Sequence, residues 1–116
     1  MSQNLRRATR RALSNQVQVL DTMTERAIGH ISNLSESGML LIASEPVTDE
    51  ALYQLRFNLP GHHGEGGTAV NVGTHLLWSA PANTPGQTWA GLRFLTIDKA
   101  ALDAVREWVD AESPPA

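Results

Sequence analysis

Tyr53-Gln54-Leu55-Arg56-Phe57-Asn58-Leu59 alternates apolar and polar side chains at every step. A period of two sets Tyr53, Leu55, Phe57 and Leu59 on one face of an extended chain and Gln54, Arg56 and Asn58 on the other, the pattern of an antiparallel strand with one face on a core and one in water. Pro60 and Gly61 end it, and GHHGEGG, from Gly61 to Gly67, reads as a flexible loop. Beyond the loop the same period resumes over a long strand, Thr68 to Trp78, with Val70, Val72, Thr74, Leu76 and Trp78 on one face. A strand of that length has room for a bulge near Gly73. On the N-terminal side, the apolar run MLLIA, Met39 to Ala43, follows the turn residues Ser35, Ser37 and Gly38 and is broken by Pro46. It has the length of a buried strand and lacks helix caps. The segments around Val17 and Val19, from Arg26 to Ile31, and from Thr88 to Leu95, where Leu92 and Phe94 share a side, bring the expected strands to six.

The period changes once. Asp98 is a good N-cap, and Ala101, Leu102, Val105, Trp108 and Val109 recur at three- and four-residue spacing, which predicts an amphipathic helix over 98–111 with Glu107 and Asp110 on its wet face. Strands followed by a single terminal helix predict an all-β dominated chain: a six-stranded antiparallel barrel, closed or nearly closed so that strand edges are not left bare, with the helix over one opening. Residues 1–16 are polar and Arg-rich and read as a flexible arm, 17–111 as the barrel with its helix, and 112–116 as a frayed tail. At 116 residues the chain supports one core and has little room for a second. A 41% hydrophobic fraction fits a globular protein and not a disordered one. Trp78 and Trp89 are expected in the core or at the barrel rim, in preference to a role as ligand platforms.

Composition removes several chemistries. The absence of cysteine excludes disulfides, thiolate metal sites and a Cys nucleophile. His62 and His63 in the Gly-rich loop, with Glu65, His30 and His75, are the only metal-site candidates, but adjacent histidines rarely turn both rings to one ion and no HExxH spacing occurs. No metal is expected. Neither a P-loop nor G-x-S-x-G is present and no pattern around Ser35 suggests a base-activated nucleophile, so no enzyme is expected. The basic start lacks the apolar core of a signal peptide and no apolar run approaches a membrane span, which predicts a cytoplasmic protein that does not insert in membranes.

Charge is distributed unevenly. Four of the nine basic residues fall in the first eleven positions, leaving five basic residues against twelve acidic ones in the remainder. Only the leader therefore attracts anions over more than a Debye length. An acidic body without interleaved aromatics argues against a nucleic-acid module. Taken alone, the leader is a solvated arm, and NLSESG, Asn33 to Gly38, a Ser-rich turn that caps its own backbone.

Their conjunction says more. RRATRR ahead of the first strand, NLSESG between the second and third, a strand ending in Trp78, then GLRF and a terminal helix resemble the PilZ domain, the bacterial cyclic di-GMP receptor module, over almost the whole chain. The family's RxxxR is matched by Arg7 to Arg11, and equally literally by Arg6 to Arg10; the spacing to the first strand favours the former. Its [D/N]xSxxG is matched by Asn33, Ser35 and Gly38. The resemblance implies a split barrel that binds cyclic di-GMP, with no cofactor, through Arg6, Arg7, Arg10, Arg11, Asn33, Ser35 and Gly38. Arginine's planar fork suits the guanine O6/N7 edge and phosphate oxygens. Gly38 would answer either a positive φ or the close approach of a base. An arm that closes over the ligand would signal to an unidentified effector protein in motility, pilus, biofilm or exopolysaccharide control, the domain being a monomer or weak homodimer. The alternative keeps the fold and drops the ligand: an adaptor that uses only the barrel surface.

Overall fold

The computed structural model describes residues 11–12, 17–60 and 67–111. Among the described residues, seven strands and a helix follow one another: β1 (Arg11–Ala12), β2 (Gln18–Asp21), β3 (Arg26–Ser35), β4 (Gly38–Ala43), β5 (Leu52–Leu59), β6 (Thr68–Pro81), β7 (Thr88–Ile97) and α1 (Lys99–Ala111). All pairings are antiparallel, in the order β1-β3-β2-β5-β6-β7-β4, and an additional β3–β4 pairing closes six of the strands into a barrel. The six-stranded barrel with one terminal helix is the fold expected from periodicity. What periodicity did not reveal is β1, where Arg11 and Ala12 of the leader pair with Leu34 and Asn33. The remainder of the leader, the histidine loop 61–66 and the tail 112–116 lie outside the described residues.

The alternation that opened the sequence reading holds residue by residue. Leu55, Phe57 and Leu59 are buried while Gln54, Arg56 and Asn58 face water, and Val70, Val72, Thr74 and Leu76 of the partner strand join them inside. Ile31, Leu34, Met39 and Leu41 from β3 and β4 complete the barrel interior. Each such side chain contributes about 1.5–3 kcal/mol on burial. Ala101, Val105, Trp108 and Val109 of α1, four of the five residues that three-to-four spacing had assigned to one face, are likewise buried in this core, while Leu102 is only half-buried. Asp98 starts the helix: its carboxylate accepts from the Ala101 amide at 2.8 Å and its carbonyl from the Leu102 amide at 2.9 Å.

Besides a shift between Val19 and Leu20, where Ile28 is the extra residue on β3, three irregularities break the alternation. Between β6 and β7 the register shifts at Gly73/Thr74, near the position expected, and the extra residue lies on β7, where Leu95 is left half exposed. A second shift, between Leu76 and Trp78, makes Leu77 the extra residue on β6. A third, between Ile31 and Asn33 on β3, makes Ser32 the extra one. A bulge leaves one residue unpaired and reverses the facing of everything after it. Trp78, which strict alternation groups with Val70 to Leu76 inside, is therefore 46% exposed.

Candidate functional site

The bulges at Ser32 and Leu77 act on the same patch of wall. With strict alternation Asn33 would follow Ile31 into the core; after the extra Ser32 it pairs with Leu40, whose side chain is outward of the buried Met39 and Leu41. Leu40 in turn pairs with Gly91, and Gly91 with Trp78. Asn33, Leu40, Gly91 and Trp78 thus form one row across four strands on the outer surface, and they line a cleft of about 240 Å³. The sequence reading of Trp78 as core or rim is corrected here: the indole lies on the outer wall. Trp89, in the next row opposite Ile42, is half-buried.

Gly91 is what lets the indole lie down on the sheet. A Cβ at that position would sit 2.3 Å from Trp78 Nε1 and 2.6 Å from Cε2, closer than any side-chain contact allows. Gly38 has a related reason. Its Cβ would stand 2.2 Å from the Leu92 carbonyl oxygen of β7, and its φ is not positive. Of the two reasons offered from sequence, positive φ is excluded and close approach holds, but the approaching group is a neighbouring backbone and not a base.

Asn33 and Ser35 lie in β3 itself, and only Glu36 and Ser37 form the turn into β4. The description of both motif side chains as turn residues is corrected accordingly. Ser35 is fully buried. Its hydroxyl accepts from the Ser37 amide at 3.2 Å, contacts the Ser37 hydroxyl at 3.1 Å and reaches the Gly38 carbonyl at 3.4 Å. The Ser37 carbonyl accepts from the Phe94 amide of β7 at 2.9 Å, tying the turn to the neighbouring strand. On its exposed side, Glu36 is ion-paired with Arg106 of α1. Hydrogen bonding to Glu36, then its charge, holds the Arg106 guanidinium above its ordinary pKa.

Among the residues named from sequence, the fold brings Asn33, Ser35, Gly38 and the backbone of Arg11 together: β1 lies against β3 with Arg11 opposite Leu34 and Ala12 opposite Asn33. Arg6, Arg7 and Arg10 lie outside the described residues. Trp78 and Gly91 are the site residues that sequence reasoning missed. A signal existed in Leu76-Leu77-Trp78, where three apolar residues in succession interrupt the alternation. His30 and His75 sit on β3 and β6, strands that are not neighbours, and no cluster of three metal-ligating side chains exists among the described residues. His75 Nε2 instead meets Glu50 Oε1 at 2.9 Å. A larger open groove, about 620 Å³, lies between Ser44–Val47 and the β6–β7 connection, but it is lined by no cation and includes Glu45, which pairs with Arg26. Its chemistry does not suit an anion.

No described helix is long and apolar enough to cross a membrane. The family model described as PilZ domain matches residues 4–111. No curated protein matches the sequence. Among solved structures, the Bacillus subtilis inhibitor of motility MotI/DgrA superposes with TM-score 0.76 at 14% identity, over 95% of this chain and 51% of that one. Escherichia coli YcgR in complex with c-di-GMP gives 0.70 at 15% identity, over 91% of this chain and 45% of that one. The PilZ domain of E. coli YcgR with c-di-GMP gives 0.66 at 14% identity, over 94% and 91%. The chain spans about half the length of the first two proteins.

Proposed function

The chain belongs to the PilZ domain family, and from that premise we propose that it is a receptor for cyclic di-GMP whose N-terminal leader closes over the bound nucleotide and presents a changed surface to a partner protein. The observation that carries this reading is the outward row from Asn33 to Trp78, with β1 of the arginine-bearing leader paired against its Asn33 end.

The chemistry follows from that row. Asn33 offers an amide that can both donate to and accept from a guanine edge. Trp78, backed by Gly91, offers an indole face to a flat base. A 240 Å³ cleft is smaller than the roughly 300–1,000 Å³ of pockets that enclose a whole drug-sized ligand. It therefore takes one base, and the rest of the dinucleotide lies along the wall, where the leader covers it. Arg7 and Arg11, with Arg6 and Arg10, supply the guanidinium forks for phosphate oxygens and guanine O6/N7. Ser35 and Gly38 hold the turn that sets the floor of the site. Fixing each leader residue costs about 1–2 kcal/mol, which the ligand contacts offset, so occupancy and leader position are linked. The output is control of motility, pilus, biofilm or exopolysaccharide functions through an unidentified effector. That c-di-GMP accompanies two of the similar structures supports this reading.

Titration calorimetry of the wild-type chain with cyclic di-GMP, cyclic di-AMP and GTP tests it. Binding is expected for the first and at least tenfold weaker for the other two, because guanine recognition and a second phosphodiester are each needed. No heat with cyclic di-GMP would overturn the receptor reading and leave an adaptor that works through its barrel surface alone.

A further inference from the structure

Arg93 lies on β7 with Gly38 of β4 as its cross-strand partner on one side and His75 of β6 on the other. It is exposed, and the period of two puts it on the same outer face as Gly91, the next outward residue along the strand and part of the cleft floor. The acids beside it are already engaged: Glu36, in the turn leading to Gly38, pairs with Arg106, and Glu50 pairs with His75. Arg26 and Lys99 are also paired, to Glu45 and Asp103. Among the described side chains this leaves Arg56 and Arg93 as cations without an ion pair. Arg56 is on β5, opposite Leu20 and Asn71, two strands from β7. Arg93 alone borders the cleft.

An exposed guanidinium whose neighbouring carboxylates are engaged by other side chains, set one outward position from an aromatic-walled cleft, is a site for an anion. We infer that Arg93 binds a phosphodiester of the nucleotide from the barrel wall. This rests on the receptor reading above and extends it: a cation fixed in the sheet, outside the motifs read from sequence, takes part in holding the ligand. The fork of Arg93 fits two oxygens of one phosphate, which a lysine would meet only as a point charge. The wall arginine also gives a reason for the Glu36–Arg106 and Glu50–His75 pairs, since each keeps a carboxylate from competing for Arg93 or repelling the ligand.

The test compares the wild-type chain with Arg93→Ala, Arg93→Lys and Arg56→Ala by calorimetry with cyclic di-GMP at two salt concentrations, with thermal melting to verify that each variant is folded. Arg56→Ala removes the same charge away from the cleft and controls for the general field. Arg93→Ala is expected to weaken binding about 10- to 100-fold and to flatten its salt dependence, Arg93→Lys to recover part of the loss, and Arg56→Ala to stay within about twofold. If the wild-type chain binds and Arg93→Ala matches Arg56→Ala, the wall contact is refuted while the receptor reading stands. If the wild-type chain does not bind, the receptor reading falls and this inference with it.

Discussion

Gly38 and Gly91 carry the same physical demand in two different places: a neighbour occupies the space a Cβ would need. At Gly38 that neighbour is the Leu92 carbonyl, part of a paired backbone that can move only by opening the β4–β7 ladder. Gly38→Ala should therefore destabilise the fold by about 1–3 kcal/mol, as overpacking does, read as a lowered midpoint in urea or heat whether or not ligand is present. At Gly91 the neighbour is the Trp78 indole, which can swing away. Gly91→Ala should leave stability within about 1 kcal/mol yet displace the ring, read as a change in tryptophan fluorescence and loss of ligand affinity; an unchanged spectrum would contradict the stacking of Trp78 on the sheet. Asn33 belongs at this scale too. Its truncation to Ala should weaken cyclic di-GMP binding by about 1–2 kcal/mol, read by calorimetry, since its side chain lines the cleft on the outer wall.

At the scale of elements, bulges and caps decide what faces where. Asp98 closes the first turn of α1, and Asp98→Ala should cost about 1 kcal/mol of stability, checked by chemical denaturation. The helix depends far more on its buried stripe: Trp108→Ala should cost about 3–5 kcal/mol and separate α1 from the barrel. The Arg106–Glu36 pair links this helix to the motif turn, and because it raises the pKa of a cation, the stabilisation is fully present below arginine's ordinary value and is lost only as pH rises through the raised one. The arginine side of the pair thus adds no pH dependence near neutrality. Deleting Ser32 or Leu77 would be a harsher test of the bulges. Each deletion should return Asn33 or Trp78 to the core side of its strand and abolish the outer row, with ligand binding lost before the barrel itself unfolds.

For the whole molecule, ligand binding and folding are one linked equilibrium. If the nucleotide binds only the folded chain, a concentration of 100 times Kd should add about 2.7 kcal/mol to unfolding free energy, visible as a raised melting temperature. Arg7→Ala or Arg11→Ala should weaken binding by about 2–5 kcal/mol by titration calorimetry, the cost of removing one side of a desolvated charged contact. The barrel and its helix were legible in the amino-acid order because burial is enforced at a fixed period: Leu55, Phe57 and Leu59, or Ala101, Val105 and Val109, must recur as they do for one face to be dry. Local chemistry likewise marked Asp98 as a cap and Asn33 to Gly38 as a motif. Only the tertiary structure decided that Asn33 and Trp78, forty-five positions apart, face one cleft, that β1 lies beside them, and that Arg93 stands next to Gly38. Those facts depend on strand order and on single-residue bulges, and a bulge changes no composition and little periodicity; it is chosen by how paired strands fit around a closed barrel, which no local stretch of the chain encodes by itself.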